Sequence, residues 1–187
     1  MTKAYFDNIK SHIIKELEYS TCSILVAVAW FTDRDLFNIL CRKASEGLNV
    51  EIIIANDEIN ANCNIDYQLI EQFGGKFYLD QNPNKNSLMH NKFCIIDLKR
   101  TITGSYNWSF KASYNKENIT ITDDSALAEQ FAKYFYQLKT GKKAFYQVQS
   151  EKEIVNLCYY LKRILNYLDQ SQYIDLNSDL FEGITVP

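Results

Sequence analysis

The sequence predicts an α/β/α layered domain with a mixed, largely parallel central sheet and a helical extension at the C-terminal end. Two apolar, β-branched runs, residues 22–30 and 50–55, have the length and composition of strands covered on both faces. Amphipathic segments alternate with them, as expected when helices pack on a parallel sheet. A chain of 187 residues with only 6 Gly and 2 Pro has enough length for one full core and little for flexible linkers.

Tyr5, Ile9, Ile13 and Leu17 recur every four positions, predicting an amphipathic helix over residues 2–19. His12 lies one position off that stripe and is expected at the helix surface or its edge. At the carboxyl end of the 22–30 strand, Trp30 and Phe31 are placed to wall a pocket. Thr32-x-x-Asp35 resembles a capping box, with Asp in place of Glu or Gln, opening a helix through Leu36, Phe37, Leu40 and Ala44 to Gly47. After the 50–55 strand, Asp66 starts a helix carrying Tyr67, Leu69, Ile70 and Phe73, closed by Gly74-Gly75, and residues 76–79 form a strand. Residues 81–86, QNPNKN, read as a loop leading to the next strand.

Residues 88–97 have strand composition, and Asp97-Leu98-Lys99-Arg100 supplies a polar reversal before Thr101-Ile102-Thr103, so a β-hairpin is predicted. Side chains alternate along a strand, which puts His90, Lys92, Cys94 and Ile96 on one face and Met89, Asn91, Phe93, Ile95 and Asp97 on the other. Residues 119–122 form a further strand, and residues 125–139 a helix with Leu127, Phe131, Tyr134, Phe135 and Leu138 as its apolar face. A connector follows, then a second capping pattern, Ser150-x-x-Glu153. The helix it opens carries Ile154, Leu157, Cys158, Leu161, Ile164, Leu165 and Leu168 in one stripe, with Lys162 and Arg163 outside it. That stripe would cover the sheet, strengthen a dimer or dock a partner. The expected division is residues 1–140 and 141–187.

Five cysteines, Cys22, Cys41, Cys63, Cys94 and Cys158, are scattered without a Cys-x-x-Cys pair, pointing to reduced thiols and away from disulfides or structural zinc. The N-terminal residues intersperse charge and lack the apolar core of a secretory signal. The uncharged apolar run over residues 19–32 is too short to span a bilayer. A cytoplasmic setting with no membrane anchor is expected. Net charge of -3 is not that of a protein that coats nucleic acid generally. Residues 85–116 differ, holding Lys85, Lys92, Lys99, Arg100, Lys111 and Lys116 against Asp97 alone. Tyr106, Trp108, Phe110 and Tyr114 are interleaved there as candidate base-stacking rings or as core residues.

An unperturbed imidazole titrates near pH ~6.5, so a neutral, nucleophilic His90 is available around neutrality. Lys92 and Asn107 are suited to hold anionic phosphodiester oxygens. Gly104 lets a chain approach a ligand closely, and Ser105, two residues before Asn107, offers a hydroxyl to the same pocket. Asp97, on the opposite face, is expected to brace the hairpin.

His90-x-Lys92-x4-Asp97-x6-Gly104-Ser105-x-Asn107 resembles the signature of the phospholipase D superfamily. The resemblance implies a phospholipase D-like fold and a phosphodiesterase with His90, Lys92, Asn107 and Glu117 as catalytic residues. It also implies that Lys92, Ser105 and Asn107 bind the substrate phosphate, that Glu117 hydrogen-bonds the histidine, and that neither metal nor cofactor is needed. Family members of greater length carry two such motifs. A single motif therefore implies a homodimer whose two motifs form one site. Short single-motif chains resemble bacterial endonucleases, which favours DNA, with RNA as a second substrate. Trp30, Lys99, Arg100, Trp108 and Lys111 are candidate nucleic-acid contacts. The alternatives are a lipid hydrolase acting on cardiolipin and a binding module controlled by a protein partner through the C-terminal helix. A role in defence against foreign DNA is raised by the resemblance alone.

Overall fold

A seven-stranded mixed sheet carries the molecule, in the order β1-β7-β6-β5-β2-β3-β4. The computed structural model describes residues 1–81 and 87–141, which fall within one unit, Met1–Ala144. The expected 81–86 loop, all but Gln81, and the C-terminal helix with its stripe lie outside the described residues.

The strands are β1 Thr2–Tyr5, β2 Ser23–Val28, β3 Asn49–Ile54, β4 Lys76–Leu79, β5 Lys92–Ile96, β6 Arg100–Gly104 and β7 Ile119–Asp123. The helices are α1 Ile9–Glu18, α2 Arg34–Ser45, α3 Glu58–Ala61, α4 Leu69–Gln72 and α5 Ser125–Thr140, with a 3-10 turn at Lys111–Tyr114. One face of the sheet packs Ile24, Val26, Ile52, Cys94 and Ile102 against Ile9, Ile13 and Leu17 of α1 and Leu36 and Leu40 of α2. The other packs Ala27, Ile53, Phe93 and Ile95 against Ala128 and Phe135 of α5. The α/β/α layering is therefore as expected. Cys94 and Ile96 fall on one side of β5 and Met89, Phe93 and Ile95 on the other, as two-residue alternation requires.

The proportion of parallel pairing is a correction. Among the strand pairs of the described residues, only β2–β3 and β3–β4 are parallel, whereas β1–β7, β2–β5, β5–β6 and β6–β7 are antiparallel. Helical crossovers produce the parallel pairs, and the tight β5–β6 turn forces the antiparallel run that follows. The single helix expected over residues 2–19 is also corrected. Residues Thr2–Tyr5 pair with β7, and Asn8 in the left-handed region (φ 51°) separates that strand from α1. Pairing covers the β7 edge, whose backbone groups would otherwise stay open, and this outweighs one more helical turn. Tyr5 still packs on His12, with ring centroids 3.9 Å apart.

Helix α2 is capped by Asp33, not Thr32. Its carboxylate accepts from the N–H groups of Asp35 and Leu36 at 3.0 and 3.2 Å. A carboxylate at this position also meets the positive end of the helix, which a hydroxyl does not. The helix expected after Asp66 shortens to the single turn α4.

Candidate active site

The site lies where β2 ends beside the chain entering β5. Buried Asn60 holds this end together. Its Nδ2 donates to the Ala29 and Ala55 carbonyls at 2.7 and 2.8 Å, and its Oδ1 accepts the Phe31 N–H at 3.0 Å. The Trp108 carbonyl accepts the N–H groups of Thr32 and Asp33 at 2.8 and 2.9 Å, locking the loop after β6 onto the chain leaving β2. These bonds are why side chains distant in sequence share one edge.

His90 is exposed, in extended chain two residues before β5. The backbone is bonded at His90 and just after it: the His90 carbonyl accepts from Lys92 Nζ at 3.0 Å, and Asn91 O accepts the Ala29 N–H at 2.8 Å. The Trp30 ring meets the imidazole edge to face at 5.4 Å, and Lys92 Nζ lies 5.8 Å from the Trp30 ring centre. Trp30 is itself oriented, because its indole N–H donates to Asp57 at 2.5 Å. Burial lowers the pKa of Lys92, opposed by the negative charge of Glu117.

Asn107 is only 9% exposed, and its Oδ1 accepts the Trp30 backbone N–H at 3.3 Å. Its Nδ2 has no protein partner among the described residues and remains available as a donor. Around Trp30, the structure thus gathers an exposed imidazole, an ammonium and an amide donor. Asp57 and Asn60 support this arrangement and were missed by the sequence reading. The only signal available was that Asp57 begins the capping run of α3, which says nothing of Trp30.

Several expected roles change. Glu117 does not hydrogen-bond His90: one carboxylate oxygen accepts the Ser105 hydroxyl and the other Asn115 Nδ2 at 3.2 Å. Ser105 therefore spends its single proton on Glu117, and its oxygen accepts the Asn118 N–H at 3.1 Å, leaving it no donor for a phosphate. Gly104 accommodates the neighbouring strand, not a ligand. A Cβ there would collide with the Asn118 carbonyl oxygen and lie 2.8 Å from Ile119 Cα.

Trp108 is 2% exposed and packs on Phe31 at 5.2 Å, so it belongs to the core. Tyr106 is likewise buried. Lys99 and Arg100 sit at the opposite end of the hairpin, since Arg100 pairs with Ile96, about 13 Å of strand from Lys92. Arg100 is also ion-paired to Glu16 and to Asp123. Lys111 stays exposed beside the site loop, in the 3-10 turn. Asp97 turns the hairpin with Leu98, both at positive φ (54° and 49°). Its carboxylate accepts from the N–H groups of Thr21, Cys22 and Ser23 and from the Thr21 hydroxyl, at 2.7 to 3.1 Å for the nearer oxygen.

An exposed imidazole, an ammonium and an amide donor gathered at one edge are side chains suited to binding an anionic ester. The family described as cardiolipin synthase, PLD-like domain, matches residues 13–139, and the chain belongs to this phospholipase D-like family, whose members are phosphodiesterase hydrolases. A mitochondrial cardiolipin hydrolase of Xenopus laevis is 30% identical over 149 residues, 79% of this chain and 69% of that protein. One of Chlamydomonas reinhardtii is 29% identical over 129 residues, 68% of this chain. The match spans 56% of the Chlamydomonas protein, less than two thirds of its length. Among solved structures, the phospholipase D family member Nuc of Salmonella typhimurium has the same fold, with a TM-score of 0.66 at 22% identity over 74% of this chain and 93% of that one. No described helix is long and apolar enough to cross a membrane.

Proposed function

We propose that this chain is a metal-independent phosphodiesterase, an endonuclease cleaving DNA, with RNA as a second substrate. The observation that carries the reading is the convergence of His90, Lys92 and Asn107 around Trp30, with the imidazole open to solvent. His90 attacks phosphorus and forms a phosphohistidine as the ester oxygen departs. Lys92 and the free Asn107 amide donate to the non-bridging oxygens, where negative charge builds. The departing oxygen needs a proton, and the single motif supports a homodimer in which the partner chain's His90 supplies it. Water then attacks the phosphohistidine while that second imidazole takes a proton back. Catalysis in this scheme needs one neutral and one protonated imidazole, so the pH-rate profile is bell-shaped and belongs to the pair.

Nucleic acid is favoured because Lys111 and Lys116, exposed beside the site loop, have no acidic partner among the described residues. A catalytic domain over residues 1–140, an extension over 141–187 and a cytoplasmic location complete the proposal. The second reading, hydrolysis of a lipid such as cardiolipin, is favoured by the names of the curated relatives. Both readings share one chemistry and differ only in what carries the phosphodiester.

The test is turnover of single- and double-stranded DNA, RNA and cardiolipin by wild type and His90→Ala, each in EDTA. Cleavage of nucleic acid by wild type alone is expected. Lipid turnover alone would install the second reading, and loss of all activity on chelation would overturn the metal-free mechanism.

A further inference from the structure

Residues 105–118 divide their aromatic rings between two environments. Tyr106 and Trp108 are buried, at 3% and 2% exposure, whereas Phe110 and Tyr114 stand out at 68% and 75%. The two exposed rings are not independent. Phe110 precedes the 3-10 turn Lys111–Tyr114 and Tyr114 ends it, and the two rings pack edge to face, centroids 5.3 Å apart. Exposing two large rings in contact is costly in water, so an occupant that covers them is the economical explanation.

The pair is tied to the reacting site through a short chain of bonds. Tyr114 precedes Asn115, whose amide donates to Glu117, and Glu117 accepts the hydroxyl of Ser105, two residues from Asn107. Beside Tyr114 lies an open cavity of about 390 Å³ whose lining includes Asp7, Asn8, Ser113, Asn115 and Lys116. Lys111 and Lys116 bring two cations without partners among the described residues.

Resting on the nuclease reading above, we infer that Phe110 and Tyr114, with Lys111 and Lys116, form a stacking platform for unpaired bases of the strand flanking the scissile phosphate. Aromatic faces take bases of any identity, and the cations take the phosphates between them. A bilayer fits less well. Residues 105–118 contain no Leu, Ile, Val or Met, and although Phe6 and Ile9 also line the adjoining cavity, Asp7, Asn8 and Asn115 there would be desolvated in hydrocarbon. Paired bases hide their faces within the helix stack, so the platform selects single strands or frayed ends.

Binding separates this inference from the catalytic one. Full-length His90→Ala is titrated into a fluorescein-labelled single-stranded oligonucleotide of about 12 nucleotides, within the usual site size of single-strand-binding surfaces. Adding Phe110→Ala or Tyr114→Ala is expected to raise Kd about tenfold each, because one stacked base is lost. Phe110→Trp retains affinity, and Tyr19→Ala, an exposed ring elsewhere, leaves it unchanged. An oligonucleotide with abasic positions reproduces the loss and makes the alanine substitutions silent. Unchanged affinity in both alanine variants overturns the platform. So does retained oligonucleotide binding with weakened binding to cardiolipin-containing vesicles, which would reassign the surface to a membrane. Turnover of bis(p-nitrophenyl) phosphate by wild type against His90→Ala reports separately on the phosphodiesterase reading, so either idea can fail alone.

Discussion

At one end of the β5–β6 hairpin Asp97 has both carboxylate oxygens filled by the backbone and hydroxyl donors of residues 21–23, while at the other end His90 stands exposed and Asn107 keeps an unused amide. Both ends belong to the same short motif. On the proposed function the motif divides its labour: saturated hydrogen bonds hold geometry, and open valences are kept at the end assigned to substrate. The two φ-positive residues of the turn, which cost backbone energy, stand at the saturated end. Substitutions at the two ends should therefore fail differently.

The largest effect is expected at the open end. Asn107→Ala should lower kcat about 10²- to 10³-fold, as when one oxyanion donor is removed, with a stability loss of only about 1 kcal/mol from the single Trp30 N–H it leaves unpaired. A loss shared equally between KM and stability would mean that Asn107 only holds Trp30. At the closed end the signature reverses. Asp97→Ala should cost about 2 to 3 kcal/mol of stability, since it strands several donors, and should leave the kcat of the folded fraction within a few-fold. Denaturant unfolding and active-site titration read the two quantities separately.

A smaller effect sharpens the comparison by pH. Burial lowers the pKa of Lys92, so its ammonium loses its proton at a pH below the ordinary lysine range. Activity needs the charged form and is therefore present below that pKa and lost as pH rises through it. The imidazole pair sets the alkaline limb, and loss of the Lys92 charge steepens it at higher pH; Lys92→Arg remains charged and should remove that steepening, even at a reduced maximum rate. An unchanged slope would mean that Lys92 ionisation does not limit the rate. The smallest effect belongs to Lys99, at the closed end, where Lys99→Ala should leave nucleic-acid affinity within about twofold once one screened charge is allowed for. A tenfold loss would mean that substrate reaches the far end of the hairpin.

The hairpin was legible in the sequence because alternation, turn residues and motif spacing act over a few residues and agree. The same rule separated the faces of β5, placing Asp97 away from His90. What escaped depends on partners far along the chain. Nothing near Thr2–Tyr5 announces that β7, more than 100 residues away, presents an edge to pair with, and the four-residue stripe through Tyr5 reads equally well as helix. Asp57 and Asn60 orient Trp30 and staple β2 to β3 through contacts that no local pattern encodes. Trp108 and Phe110 illustrate the same limit two residues apart. Both are aromatic in a basic stretch, and only the Phe31 bridge decides that one is core and the other surface.

The central claim is that His90 becomes covalently bonded to phosphorus. Cleavage of a DNA phosphorothioate of one phosphorus configuration in isotopically labelled water tests it, because two successive in-line displacements restore the starting configuration. The account predicts net retention at phosphorus. Inversion would mean that water attacks directly, and His90 would lose its place as nucleophile.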